Sequence, residues 1–188
     1  MPHDPRAAAT LLPRDQAALA FIGRGYEVAQ YQLRVAIFPG LSEVVSSRRV
    51  RRWITDGLVT VERFQGFGIN RLRLTDAGRD AVVASGAAPE HELFVPTKGV
   101  ALKDLSHHLW INDLRVIAHE GLPIAAEYIA PAWLLQRQFR SGPAIPDLLL
   151  TRHGAPGKRG RLFALEVDMG GERIVATFLP KLRLLADV

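Results

Sequence analysis

Cysteine is missing from all 188 residues. Its absence excludes disulfides, thiolate zinc sites and a cysteine nucleophile, and it agrees with a reducing, cytoplasmic setting. Long apolar runs are missing as well. No stretch approaches the roughly 20 residues that a membrane span needs. The first residues, MPHDPRAAATLLPRDQ, lack the basic, apolar and cleavage regions of a signal peptide. The expectation is a soluble cytoplasmic protein without a membrane partner. There is no HExxH, no GxxxxGK and no nucleophile elbow, so zincin, P-loop and hydrolase chemistry have no motif to stand on. Lysine does not occur before Lys98, so the fixed positive charge of the first half rests on arginine.

The residues present are 48% hydrophobic and 23% charged, ordinary for a globular chain with room for one domain or two small ones. Formal net charge is +5, which favours an anionic partner, nucleic acid first. The excess is concentrated. Arg48, Arg49, Arg51, Arg52, Arg63, Arg71 and Arg73 share their window with only two acids, Asp56 and Glu62.

That window lies in an ordered series of elements. Pro13 opens an apolar helical segment that Gly23 and Gly25 end. A second helix is expected over Val28 to Phe38, stopped by Pro39-Gly40. Ser42 caps a third helix, and Glu43 in its first turn suits the helix dipole. Val50, Trp53 and Ile54 form its inward stripe, with Trp53 in the core, while Ser47, Arg48, Arg51 and Arg52 occupy the other side. Leu58–Phe64 and Ile69–Leu74 alternate as two strands joined by the glycine-containing loop Gln65 to Gly68. Thr75 caps a fourth helix that ends near Ser85-Gly86.

Helix, helix, arginine helix, hairpin, helix resembles the winged helix-turn-helix of many bacterial regulators. A helix fits the major groove, where arginine bonds guanine through two hydrogen bonds, and further arginines meet phosphate. The candidate DNA-binding residues are Ser47, Arg48, Arg49, Arg51 and Arg52 on the helix and Arg63, Arg71 and Arg73 on the wing. The competing reading is a solvated charged helix beside an ordinary α+β hairpin.

Residues 13–86 are thus read as the winged-helix domain, 87–99 as a linker and 100–188 as a second, small α/β domain. In the second domain a helix spans Leu102 to His119, a strand covers Ile124–Ile129, and a short helix runs from Pro131 to Phe139. Strands Pro146–Thr151 and Arg161–Val167 follow, then a helical segment from Glu172 to Leu185. Asp147 opens one strand and Glu166 ends the next. Two such carboxylates can converge on a divalent metal, usually Mg²⁺, which would activate water at a phosphodiester. Mg²⁺ is the one candidate cofactor. The arrangement resembles the nuclease superfamily named for PD followed by (D/E)xK. Here Asp168 stands where that lysine belongs, and Lys181 is the candidate substitute. Asp147, Glu166 and Lys181 are the candidate catalytic set, and Asp147, Glu166 and Asp168 the candidate metal ligands. Equally, these carboxylates could be structural, paired with Arg152, Arg161 or Lys181. His107 and His108 lie on the long helix, where His108 and Asn112 share a face.

The winged helix followed by LSHHLWINDLRV, IPDLLL, FALEVDMGGE and PKLRLL resembles the replication-relaxation family of plasmids and mobile elements. The resemblance covers most of residues 14–185 and rests on His108, Asn112-Asp113, Pro146-Asp147, Glu166-Val167-Asp168 and Lys181. It implies an α+β protein with an N-terminal winged helix and a restriction-endonuclease-like second domain, abbreviated or completed by a partner subunit. It implies double-stranded DNA binding in replication control or transcriptional regulation. It does not imply cleavage, and a binding protein is expected rather than an enzyme. Two alternatives stand beside it: a metal-dependent nuclease or nickase, and a non-catalytic assembly protein that dimerises through its second domain.

Overall fold

The computed structural model describes residues 11–64, 68–119, 128–131, 133, 147–152 and 161–165. The chain divides into two compact units, Met1–Lys103 and Asp104–Val188. The described elements make a mixed α+β protein with five α-helices and two three-stranded antiparallel sheets. Among the described residues no helix is long and apolar enough to cross a membrane.

In the first unit α1 spans Pro13–Arg24, with proline at its start, where no backbone donor is needed. A turn through Tyr26, at φ +66°, leads into β1 (Val28–Ala29). Helix α2 (Gln30–Ile37) follows, and its entry is held by Gln32 Oε1, which accepts the Ala29 N–H at 2.9 Å. The expected helix from Val28 therefore begins two residues later, because Val28 and Ala29 pair with Leu72 and Arg71 as a third strand. Helix α3 covers Glu43–Thr55, and Ser42 Oγ accepts the Val45 N–H as its cap. Gly57, at φ +71°, turns the chain into β2 (Val59–Phe64). Strand β3 (Ile69–Leu74) lies between β1 and β2. Helix α4 (Asp76–Ala84) starts from Thr75, whose Oγ1 accepts the Gly78 N–H at 3.0 Å.

The core of this unit joins Leu19 and Ile22 of α1, Leu33 and Phe38 from the second helix and its end, and Val50 and Trp53 of α3. Val59, Leu72, Leu74 and Val82 complete it. Trp53 is 1% exposed, and its ring lies 6.1 Å from that of Phe38, in the packed place its spacing predicts.

Residues 87–99 are expected to be a linker. The structure instead lays them on the first unit. Leu93 is buried, Phe94 stacks on Tyr26 at 4.6 Å, and the Phe94 N–H reaches the Gly23 carbonyl at 2.9 Å. Glu92 receives two hydrogen bonds from Arg24, at 2.6 and 2.9 Å. The physical reason is apolar area: Leu93 and Phe94 have a place to bury, which the Pro- and Ala-rich start of the segment conceals.

The second unit holds nearly all of α5 (Leu102–His119) and the sheet β4 (Tyr128–Pro131), β5 (Leu148–Arg152) and β6 (Arg161–Leu165), in that order. The expected helices over Pro131 to Phe139 and Glu172 to Leu185 lie outside the described residues, apart from Pro131, which ends β4, and Trp133.

Candidate nucleic-acid interface

The 3.6-residue period of α3 divides its four arginines. Arg49 turns toward α1, where one Nη meets both Asp15 oxygens at 2.9 and 3.1 Å. Arg48, Arg51 and Arg52 lie on the exposed side. Arg52 makes a helix-surface pair with Asp56 at 3.5 Å. Arg48 and Arg51 have no ion pair among the described residues. These two exposed guanidinium groups are available to an outside anion.

The hairpin divides its arginines as well. Strand register pairs Glu62 with Arg71 and Arg63 with Asn70, and side chains alternate across a sheet. Arg63 therefore shares a face with Val61 and Asn70, whereas Arg71 and Arg73 share the opposite face with Glu62. Arg63 is exposed and has no ion pair among the described residues. Arg71 is 5% exposed. Its guanidinium bonds Glu27 at 3.0 Å, Glu62 at 2.9 Å and the Val100 carbonyl at 3.3 Å. Arg73 bonds the same two carboxylates, at 3.3 and 3.4 Å. Gly99 passes over this network so closely that a Cβ there would meet Arg73, Glu27 and Glu62. Burial raises the Glu27 pKa above its usual 4.5, and Arg71, the Val100 N–H and Arg73 oppose that shift only in part. Arg71 and Arg73 thus act inside the fold, and Arg63 is the hairpin cation that faces outward.

Between α2, α3 and the hairpin lies an open groove of about 540 Å³. Arg51 stands on its α3 wall and Arg63 on its hairpin wall, over a floor that includes Val50, Ile54, Val61 and Ile69. Gln30, the first residue of α2, ties the two walls together. Its Nε2 donates to Ser47 Oγ at 2.8 Å, and its Oε1 accepts from Asn70 Nδ2 at 3.1 Å. Ser47 thus serves the groove as an acceptor for Gln30. Sequence reasoning missed Gln30, Tyr31 and Asn70. Asn70 carried a signal, since the four-residue loop sets it opposite Arg63.

In the second unit Asp147 is held by His107, with Nε2 3.0 Å from Oδ2, and its side chain is 14% exposed. Beside it, burial lowers the His108 pKa from 6.5, helped by His107 and opposed by Asp104 and Asp147. Asn112 is buried and accepts from Arg115 Nη1 at 2.7 Å. Glu166, Asp168 and Lys181 lie outside the described residues. Among the described residues no three His, Asp or Glu side chains group to hold a metal ion. Asp147 and His107 are two donors, and one is a nitrogen, which Mg²⁺ disfavours.

No protein-family model, curated protein or solved structure matches the chain.

Proposed function

We propose that the first unit is a winged helix-turn-helix that binds double-stranded DNA, with α3 as recognition helix and the β2–β3 hairpin as wing. One observation carries this reading. Arg48, Arg51 and Arg52 lie on the exposed side of one helix, and Arg63 stands across the adjacent groove, while the other cations of the same window are neutralised within the fold. Arginines clustered on one side create a field that a polyanion answers. Helix α3 would read base edges, and Arg63 would lie along the neighbouring backbone. The resemblance to replication-relaxation proteins supports a role in plasmid-type replication control or transcriptional regulation, with a nuclease-like second unit.

Gel-shift titration over a range of salt tests the reading. Each phosphate-contacting arginine changed to alanine should flatten the log–log salt slope by about 1. An Arg48→Ala, Arg51→Ala double variant with unchanged affinity and slope overturns it.

A second reading, a nuclease using Asp147, Glu166 and Lys181, draws on the ordered Asp147–His107 contact. Plasmid nicking with Mg²⁺ or Mn²⁺ that disappears in Asp147→Ala would favour it over binding alone. Nicking that survives the substitution would sink it.

A further inference from the structure

The groove beside α3 has a composition that duplex binding alone does not require. A surface that only meets phosphates needs cations. This one sets Arg51 and Arg63 on facing walls above an apolar floor that includes Val61, which is 42% exposed. At its edge stands Tyr31, also 42% exposed, whose hydroxyl accepts from Gln32 Nε2 at 3.3 Å. Cations above an apolar and aromatic surface match a chain that carries phosphate on one side and an unpaired base on the other. The volume of about 540 Å³ lies in the range of small-ligand clefts. A duplex is far too wide to enter it, and a single strand is not.

We propose that this groove seats an unpaired DNA strand, so that the protein binds junctions between duplex and single-stranded DNA. The inference rests on the duplex-binding reading of the exposed side of α3 and adds a second ligand class beside it. At a junction Arg51 and Arg63 take the phosphates of the unpaired strand, and Arg48 and Arg52 keep those of the duplex. A base packs on Tyr31 and Val61. Gln30 is a positioning residue: through Ser47 and Asn70 it holds the two walls at the spacing the strand needs.

Fluorescence anisotropy with the full chain tests this. The probes are a labelled blunt duplex and the same duplex with a ten-nucleotide oligothymidine tail. The tail should tighten binding about tenfold, the scale of one or two stacking contacts. Val61→Ser and Tyr31→Ala, which change no charge, should abolish that gain and leave blunt-duplex affinity within about twofold. Gln30→Ala should reduce the gain, and Gln30→Glu, which keeps an acceptor for Asn70 but loses the donor to Ser47, should restore it only in part. Circular dichroism and thermal melting establish that each variant is folded. Equal affinity for tailed and blunt probes overturns the proposal, as does a tail gain that Val61→Ser and Tyr31→Ala both leave intact. Failure of the underlying reading looks different: the blunt duplex is not bound, or Arg48→Ala leaves its binding and salt slope unchanged. A ribonucleotide tail of the same length is the remaining arm, and tighter binding to it than to the deoxyribonucleotide tail assigns the groove to RNA and overturns the DNA assignment.

Discussion

Arg48 and Arg49 are adjacent in the chain and face different surroundings. Arg49 packs against α1 with both Asp15 oxygens in reach, and Asp15 is buried. Removing its guanidinium leaves a poorly hydrated carboxylate without its partner. Arg49→Ala should therefore cost about 1–3 kcal/mol of stability in urea denaturation and leave the DNA salt slope unchanged. Arg48→Ala should do the reverse, with stability held to within about 0.5 kcal/mol and the slope reduced. A stability loss in Arg48→Ala equal to that of Arg49→Ala would refute this division of labour. Glu27 supplies a second residue-scale expectation. Its folded pKa is raised above 4.5, so the native state holds that proton more tightly than the unfolded chain does. Its favourable contribution is full below pH 4.5 and is lost as the pH rises through the raised folded value. Glu27→Gln does not titrate at this position. The native protein should lose stability relative to that variant as the pH climbs from below 4.5 toward neutrality, measured by chemical denaturation at several pH values. A difference independent of pH would show that Glu27 titrates as it does in the unfolded chain.

At the scale of elements, capping and alternation explain what could be read in advance. Ser42 and Thr75 start α3 and α4 as their hydroxyls suggest, and Ile69–Leu74 and Leu102–His119 have the expected bounds. The hairpin arginines were harder, because alternation alone does not say which residue faces which. Once the loop sets Phe64 opposite Ile69, the parity follows, and Arg63 separates from Arg71 and Arg73. The Glu27 partner lies more than 40 positions before Arg71, a contact made by packing that no local pattern announces. Strand β1 was hidden for a related reason: two residues have no period, and Val28–Ala29 become a strand only because β3 offers an edge. Gly78 gives the element-scale test. Alanine inside a helix ordinarily gains about 1 kcal/mol over glycine. Here a Cβ would run into the Leu58 carbonyl oxygen and Leu74 Cδ1, at the point where α4 crosses the start of β2. Gly78→Ala should instead destabilise by about 1–3 kcal/mol, seen as a lower melting temperature. A higher one would mean that α4 can shift away from the strand without loss.

For the whole molecule, the boundary between units decides what a fragment must contain to test the proposed DNA binding. Composition suggests a break after Gly86, since Ala87, Ala88 and Pro89 read as a connection. Packing places it later. Leu93 fills space against Gly23, where any Cβ would collide with the leucine and with Leu74. Glu92 and Phe94 hold the end of α1, and Val100 contributes its carbonyl to Arg71 and its N–H to Glu27. These contacts join the segment to the helix and sheet that place α3, so it belongs to the fold rather than to the space between folds. A fragment of residues 1–103 should unfold cooperatively and bind duplex DNA with the salt slope of the full chain. A fragment of residues 1–86 loses the Leu93 contacts and strips Arg71 and Glu27 of two backbone partners. Its stability should fall by at least about 2–4 kcal/mol from the lost leucine burial alone, measured by urea denaturation of the two fragments side by side. Equal midpoints and equal salt slopes would return 87–99 to the status of a linker. A stable longer fragment with a weakened slope would mean instead that cations beyond Lys103 share the phosphate contacts, and that DNA binding belongs to the whole chain rather than to its first unit.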